Sequence, residues 1–165
     1  MIKPMAWLGG VLLIGAMSIS MTSMALAHDV KTETLRIAHP FATPTPPGAV
    51  NGAAYLDITA VSGPVTLVGA SSSASSNVEL HDMQMDGDMM QMRHVDEIRV
   101  EAGETYTMRP GGGFHLMLIG LSEPLTEGDR FPITLTFAEQ GDVDIEVWVQ
   151  SAQEGSEAAD GHHHH

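Results

Sequence analysis

The run Ile133-Thr134-Leu135-Thr136-Phe137-Ala138-Glu139-Gln140-Gly141-Asp142-Val143-Asp144-Ile145-Glu146-Val147-Trp148-Val149 decides the fold class. Apolar and polar residues alternate along 133–137 and again along 143–149. That two-residue period belongs to strands with one face on a core and the other in water. Gly141-Asp142 supplies a turn between them. The same pattern extends toward the N-terminus, with predicted strands at Thr34–Ile37, Ala53–Thr59, Val65–Gly69, Val78–His81, Met90–Val95, Ile98–Val100, Thr105–Met108 and Phe114–Ile119. Turn chemistry punctuates them at Pro44 to Gly48, Ser62-Gly63-Pro64, Ala102-Gly103, Pro110 to Gly113 and Glu127-Gly128-Asp129.

Short, closely spaced strands without a long 3.6-residue amphipathic repeat predict one all-β domain, an antiparallel sandwich or barrel. Ser71 to Asn77 is small and polar and reads as a surface loop. From Ser151 the chain is acidic among Gly and Ala, which predicts a flexible tail over 151–165. Its end, His162 to His165, is either a truncated purification tag or an auxiliary metal-binding segment that would suit Cu(II).

At the other end, Lys3 precedes an apolar run from Ala6 to Met17, and Ala25-Leu26-Ala27 has the small-residue pattern of a cleavage site. Residues 1–27 therefore read as a secretory signal, with a domain over 28–150 exported to the periplasm. An uncleaved anchor is the competing reading, because Met5 to Ala27 carries no charge and could span a bilayer. With no cysteine, the sequence predicts no lipid anchor, no disulfide framework, no cysteine-based zinc site and no blue-copper thiolate. Seven basic residues against 21 acidic ones give a formal net charge of −14. Such a surface repels phosphate backbones and argues against nucleic acid; a metal cation or a partner with a positive docking face suits it better.

Methionine placement carries the chemistry. Of 12 methionines, five fall in the leader, and Met83, Met85, Met89, Met90, Met92, Met108 and Met117 all lie between residues 83 and 117. Core filler would also appear among the strands at 53–69 and 131–149, where there is none. His81-Asp82-Met83 and His115-Leu116-Met117 each space histidine and methionine two apart, on one face of a strand. Soft thioether with borderline imidazole favours Cu(I) over Mg²⁺, Ca²⁺ or Mn²⁺, and zinc seldom takes thioether. Asp82, Asp86 and Asp88 stand close enough in sequence to stabilise a cation through space, or simply form a solvated loop.

The segments Val78-Glu79-Leu80-His81-Asp82-Met83, Met92-Arg93 and Pro110-Gly111-Gly112-Gly113-Phe114-His115-Leu116-Met117-Leu118 resemble the PCu(A)C-type periplasmic copper chaperones. Ten residues separate His81 from Met92, as in that family, and 22 separate Met92 from His115, one more than is usual there. The extra residue fits the triple glycine. Thr45-Pro46-Pro47-Gly48, Asn51 to Tyr55 and Leu121 to Leu125 extend the resemblance from about Leu35 to Val149. It implies a cupredoxin-like antiparallel β-sandwich and Cu(I) held by His81, Met92, His115 and Met117. It further implies delivery to an acceptor such as the dinuclear copper site of cytochrome c oxidase subunit II.

Met83, Met85 and His94 are auxiliary candidates beside that set. Met89, Met90 and Met108 are read as packing, Tyr55 and Trp148 as core or interface volume, and His39 as a surface turn residue. His28 would be a mature N-terminus able to chelate Cu(II) through its amine and imidazole. That keeps a copper-dependent redox enzyme as a rival, alongside a copper storage or resistance protein. No catalytic triad, carboxylate pair or phosphate loop is present, so the sequence predicts a carrier and not an enzyme.

Overall fold

The computed structural model describes residues 29–161, so the leader, His28 and His162 to His165 lie outside the described residues. Within them run β1 (Val30–Lys31), β2 (Leu35–Ala42), β3 (Asn51–Ala60), β4 (Val65–Ser71), β5 (Ser75–Asp86) and β6 (Met89–His94). These are followed by β7 (Ile98–Val100), β8 (Thr105–Thr107), β9 (Gly113–Leu121), β10 (Arg130–Phe137), β11 (Gly141–Val149) and α1 (Ala152–Asp160). No helix among the described residues is long and apolar enough to cross a membrane.

The alternation that set the fold class appears as burial. Phe131, Ile133, Leu135 and Phe137 of β10 face the core with Ile145, Val147 and Val149 of β11. The polar positions between them pair across the outer surface: Thr134 Oγ1 donates to Asp144 Oδ1 at 2.6 Å and Thr136 Oγ1 to Asp142 Oδ1 at 2.8 Å. Arg130 lies 3.8 Å over the half-buried Trp148 ring in a cation–π contact.

The strands close on themselves in the order β2, β11, β10, β4, β5, β9, β3, with β3 returning to β2. Pairing is antiparallel except at one seam, where Trp148 and Val149 run parallel to Phe41 and Ala42. The expected all-β sandwich is therefore present as a closed, single-domain sheet. His39 sits in strand β2 and not in a turn. Its φ of 51° marks a bulge where the β2–β3 register shifts between Ala38 and Phe41.

Two expectations are corrected. Ser75-Ser76-Asn77 belongs to β5, because pairing with Ile119 and Leu121 of β9 supplies backbone partners that the small polar side chains do not advertise. The tail expected to be flexible forms α1 instead. Ser151 caps it by accepting from the Glu154 amide at 3.2 Å, and its hydroxyl donates to Glu154 Oε2 at 3.1 Å. Gly155 and Ala159 are buried, with Gly155 against the Phe41 ring of β2. A Cβ at Gly155 would overlap that ring.

Gly155→Ala should therefore destabilise the protein despite alanine's better helix propensity, because overpacking costs about 1–3 kcal/mol. The expected result is a lower urea midpoint, with amides 152–160 losing exchange protection first. An unchanged midpoint with full protection would show that the helix is not docked as described.

Candidate metal centre

β5 and β9 are joined by pairs that set the site: His81 opposite His115, Glu79 opposite Met117 and Met83 opposite Gly113. On the other side of β5, His94 of β6 lies opposite His81 and Met92 opposite Met83. Partners in an antiparallel ladder share a face. Val78, Leu80, Leu116 and Leu118 point into the core, so the intervening His81, Met83, His115 and Met117 share the opposite face. That face carries His81, His94, His115, Met83, Met92 and Met117 across three adjacent strands.

The histidines meet most closely. Ring centroids of His81 and His115 are 5.8 Å apart, and those of His81 and His94 are 6.0 Å apart. His81 Nε2 lies 2.8 Å from Glu79 Oε2, and the other Glu79 oxygen accepts from Asn77 Nδ2 at 3.2 Å. An ionised carboxylate only accepts, so it places a proton on Nε2 and leaves the Nδ1 lone pair of a neutral ring bare. That Nδ1 is buried without a hydrogen-bond partner. His115 is 3% exposed, makes a backbone hydrogen bond to Gly113, and also has a buried nitrogen, Nε2, without a partner. Two buried imidazole nitrogens without hydrogen-bond partners, on a face that also carries thioethers, form a donor set whose chemistry suits a soft cation.

The approach to His115 is built tightly. Gly113 takes φ 74°, and a Cβ there would sit 2.5 Å from Tyr106 Oη, which accepts the Phe114 amide at 3.0 Å. Just ahead, Arg109 donates through Nη1 to the buried Asp57 at 2.7 Å and to the Met108 carbonyl at 2.6 Å. These contacts anchor the Pro110–Gly113 turn at its base. The Tyr55 ring, 6.2 Å from that of His115, covers it on the β3 side.

Of the sequence-predicted set, His81 and His115 are adjacent. Met92 and Met117 flank His81 on opposite diagonals, Met92 exposed on β6 and Met117 half-buried on β9. Among the auxiliaries, Met83 stands two residues beyond His81 on the same face of β5, as its spacing indicated, His94 lies directly opposite His81, and Met85 is one step farther out. Met108 is fully buried, as expected. Met89 and Met90, expected to pack, are instead 66% and 54% exposed, because the β5–β6 hairpin extends past the core. Glu79 was missed, although a carboxylate two residues before a histidine on a strand must share its face. Among the described residues there is no cluster of three or more His, Cys, Asp or Glu side chains placed to hold a metal. A soft-metal donor set here would have to draw on thioether sulfur beside the histidines.

Comparison with known structures identifies the class: the fold is the cupredoxin-like sandwich of PCuAC domains. The copper-bound PCuAC domain from PmoF2 superimposes with a TM-score of 0.64 at 24% identity, over 75% of this chain and 98% of that one. The Cu(I) form of DR1885 from Deinococcus radiodurans gives 0.56 at 28% identity, over 70% and 76%. Residues 35–149 match the family model "Putative lipoprotein LpqE-like", and the chain belongs to that LpqE-like family. "Putative lipoprotein Lxx21020" from Leifsonia xyli subsp. xyli is 36% identical over 90 residues, and the chain spans about half the length of that curated relative.

Burial lowers the His115 pKa below its ordinary 6.5, an effect that outweighs the Gly113 hydrogen bond. The unfolded chain then takes up this proton first. The stabilisation from a neutral His115 is complete above 6.5 and is lost as pH falls through the lower folded value. An NMR titration of the metal-free protein should place the His115 midpoint below 6.5; a midpoint at or above it would mean the ring is hydrated.

Proposed function

We propose that this protein is an exported Cu(I) carrier. It binds one ion tightly through His81, Met92, His115 and Met117 and passes it to a copper-accepting protein. The observation that carries the reading is the pair of buried imidazole nitrogens, His81 Nδ1 and His115 Nε2, left without partners on a face otherwise furnished with thioethers. Both are oriented by hydrogen bonds at the far side of the ring, the arrangement that prepares histidine as a ligand. Burial favours the neutral His115 ring, which is the form that binds metal. The copper named for the PmoF2 and DR1885 domains supports the choice of metal.

Four neutral ligands hold a soft monovalent ion without thiolate, so exchange toward a cysteine-containing acceptor runs downhill. The dinuclear copper site of cytochrome c oxidase subunit II is such an acceptor. The acidic surface, with 21 carboxylates against seven basic side chains, serves docking rate more than affinity. Export to the periplasm, directed by residues 1–27, fits the lipoprotein description of the family.

The test is an anaerobic competition titration against a Cu(I) chelator, on the full chain with His162 to His165 replaced by alanine. His115→Ala and Met117→Ala should each weaken the tight ion at least about tenfold, equivalent to about 1.4 kcal/mol. If both variants bind like the parent, the site is elsewhere. Mixing the loaded protein with the soluble copper domain of oxidase subunit II should then move the ion across, and its retention would remove the delivery role.

Glu79→Gln probes the support of His81 separately. Loss of the charged acceptor should lower Cu(I) affinity by about 10–100-fold, the usual effect of removing a ligand's outer hydrogen-bond partner. The urea midpoint should scarcely move, because Glu79 is partly exposed. An unaltered affinity would mean that the carboxylate does not orient the ring.

A further inference from the structure

Past Leu80 the β5–β6 hairpin leaves the core, and its two faces separate into different chemistries. On one face the cross-strand pairs are Asp82 with Arg93, Gln84 with Gln91, and Asp86 with Met89. Four of these six bind one another, Gln84 Nε2 donating to Asp82 Oδ2 and Gln91 Nε2 to Asp86 Oδ2 at 3.2 Å, and Met89 is the one thioether on this face. The other face pairs His81 with His94, Met83 with Met92, and Met85 with Met90. All six of its residues are imidazoles or thioethers.

Met85, Met90 and Met92 are 62%, 54% and 51% exposed, so packing does not explain them. An apolar docking strip would also draw on leucine, isoleucine, valine or aromatic side chains, and none occurs among the six. Directly opposed positions hold their Cβ atoms about 4.5–5.5 Å apart, and diagonal ones stay within reach of long side chains. With three rotatable bonds each, methionines at such positions can turn their sulfurs toward one point.

We propose that Met83, Met85 and Met90 form a second, weaker Cu(I) site near the hairpin tip. It shares no ligand with the His81–Met92–His115–Met117 set and stands or falls independently of it. Three thioethers are a purely soft, uncharged donor set that selects a monovalent soft ion over zinc or hard divalent cations. Gly87, at φ 62° in the first of two turn positions, closes the hairpin tightly and keeps the Met85–Met90 pair in register.

The experiment is an anaerobic Cu(I) titration of full-length protein, carbon-13 labelled at the methionine methyls and carrying alanine at 162–165. Two ions should bind, with the Met85 and Met90 methyl signals moving mainly during the second equivalent. Met85→Leu/Met90→Leu conserves volume on an exposed strand, so the fold should persist. This variant should bind the first ion unchanged and the second at least tenfold more weakly. Still methyl signals at Met85 and Met90, or a double variant that takes two ions as the parent does, would overturn the proposal. His115→Ala separates the two sites: it should lose the first ion and retain the Met85 and Met90 shifts. Disappearance of those shifts in His115→Ala would overturn an independent outer site. Retention of the first ion there would instead defeat the reading of the primary site, leaving the methyl signals to decide the second.

Discussion

The register between β5 and β9 governs the rest. His81 stands opposite His115 only because Leu80 and Val78 align with Leu116 and Leu118 in the core. A slip of one residue would turn over whichever strand slipped, exposing its apolar residues and driving its histidine into apolar packing, so hydrophobic burial fixes the geometry of the candidate site. The core and the site are two faces of one ladder. The histidine pair thus inherits its placement from the apolar residues on the reverse face of the same ladder.

The same constraint explains what could be read in advance. Strands β10 and β11 were legible because each has one wet and one dry face, and the alternation is uninterrupted. His-x-Met spacing was legible for the same reason: a period of two assigns a face without knowledge of partners. The N-terminal end of β5 was not, because Ser75, Ser76 and Asn77 gain their place from β9 backbone pairing and carry no apolar signal. Met89 and Met90 misled because hydrophobicity was taken to mean burial, whereas the hairpin continues beyond the volume the core fills. α1 was concealed by acidic composition, although Ser151 and Glu154 spelled its start. Which strands would flank β5, and hence that His94 and His115 would both stand opposite His81, depends on long-range pairing that a local pattern does not encode.

Electrostatics at the site works through placement more than through total charge. The formal net charge of −14 belongs to the chain as a whole. The one carboxylate that acts on a candidate ligand directly is Glu79, 2.8 Å from His81. It performs a task that a distant field cannot: it selects which imidazole nitrogen keeps its lone pair. For His115 a backbone carbonyl does the same work, and burial holds the ring neutral. One histidine is prepared by a charge and the other by exclusion of water. Both rings therefore keep a buried nitrogen, His81 Nδ1 and His115 Nε2, free of any hydrogen-bond partner.

The proposed carrier role sets two opposed requirements, retention and release, and the sheet offers positions at different distances from the core that would suit each. Near Leu80 and Leu116 the ligand positions are fixed by packing on their reverse face, which disfavours rearrangement. Toward Gly87 the reverse face is polar and solvated, so the methionines there are constrained by little beyond strand pairing. Ligand stiffness therefore declines along a single hairpin, from imidazole against the core to thioether at the tip. A gradient of that kind requires no conformational switch. It arises from extending a β-hairpin past the end of the hydrophobic core while keeping soft ligands on alternate residues.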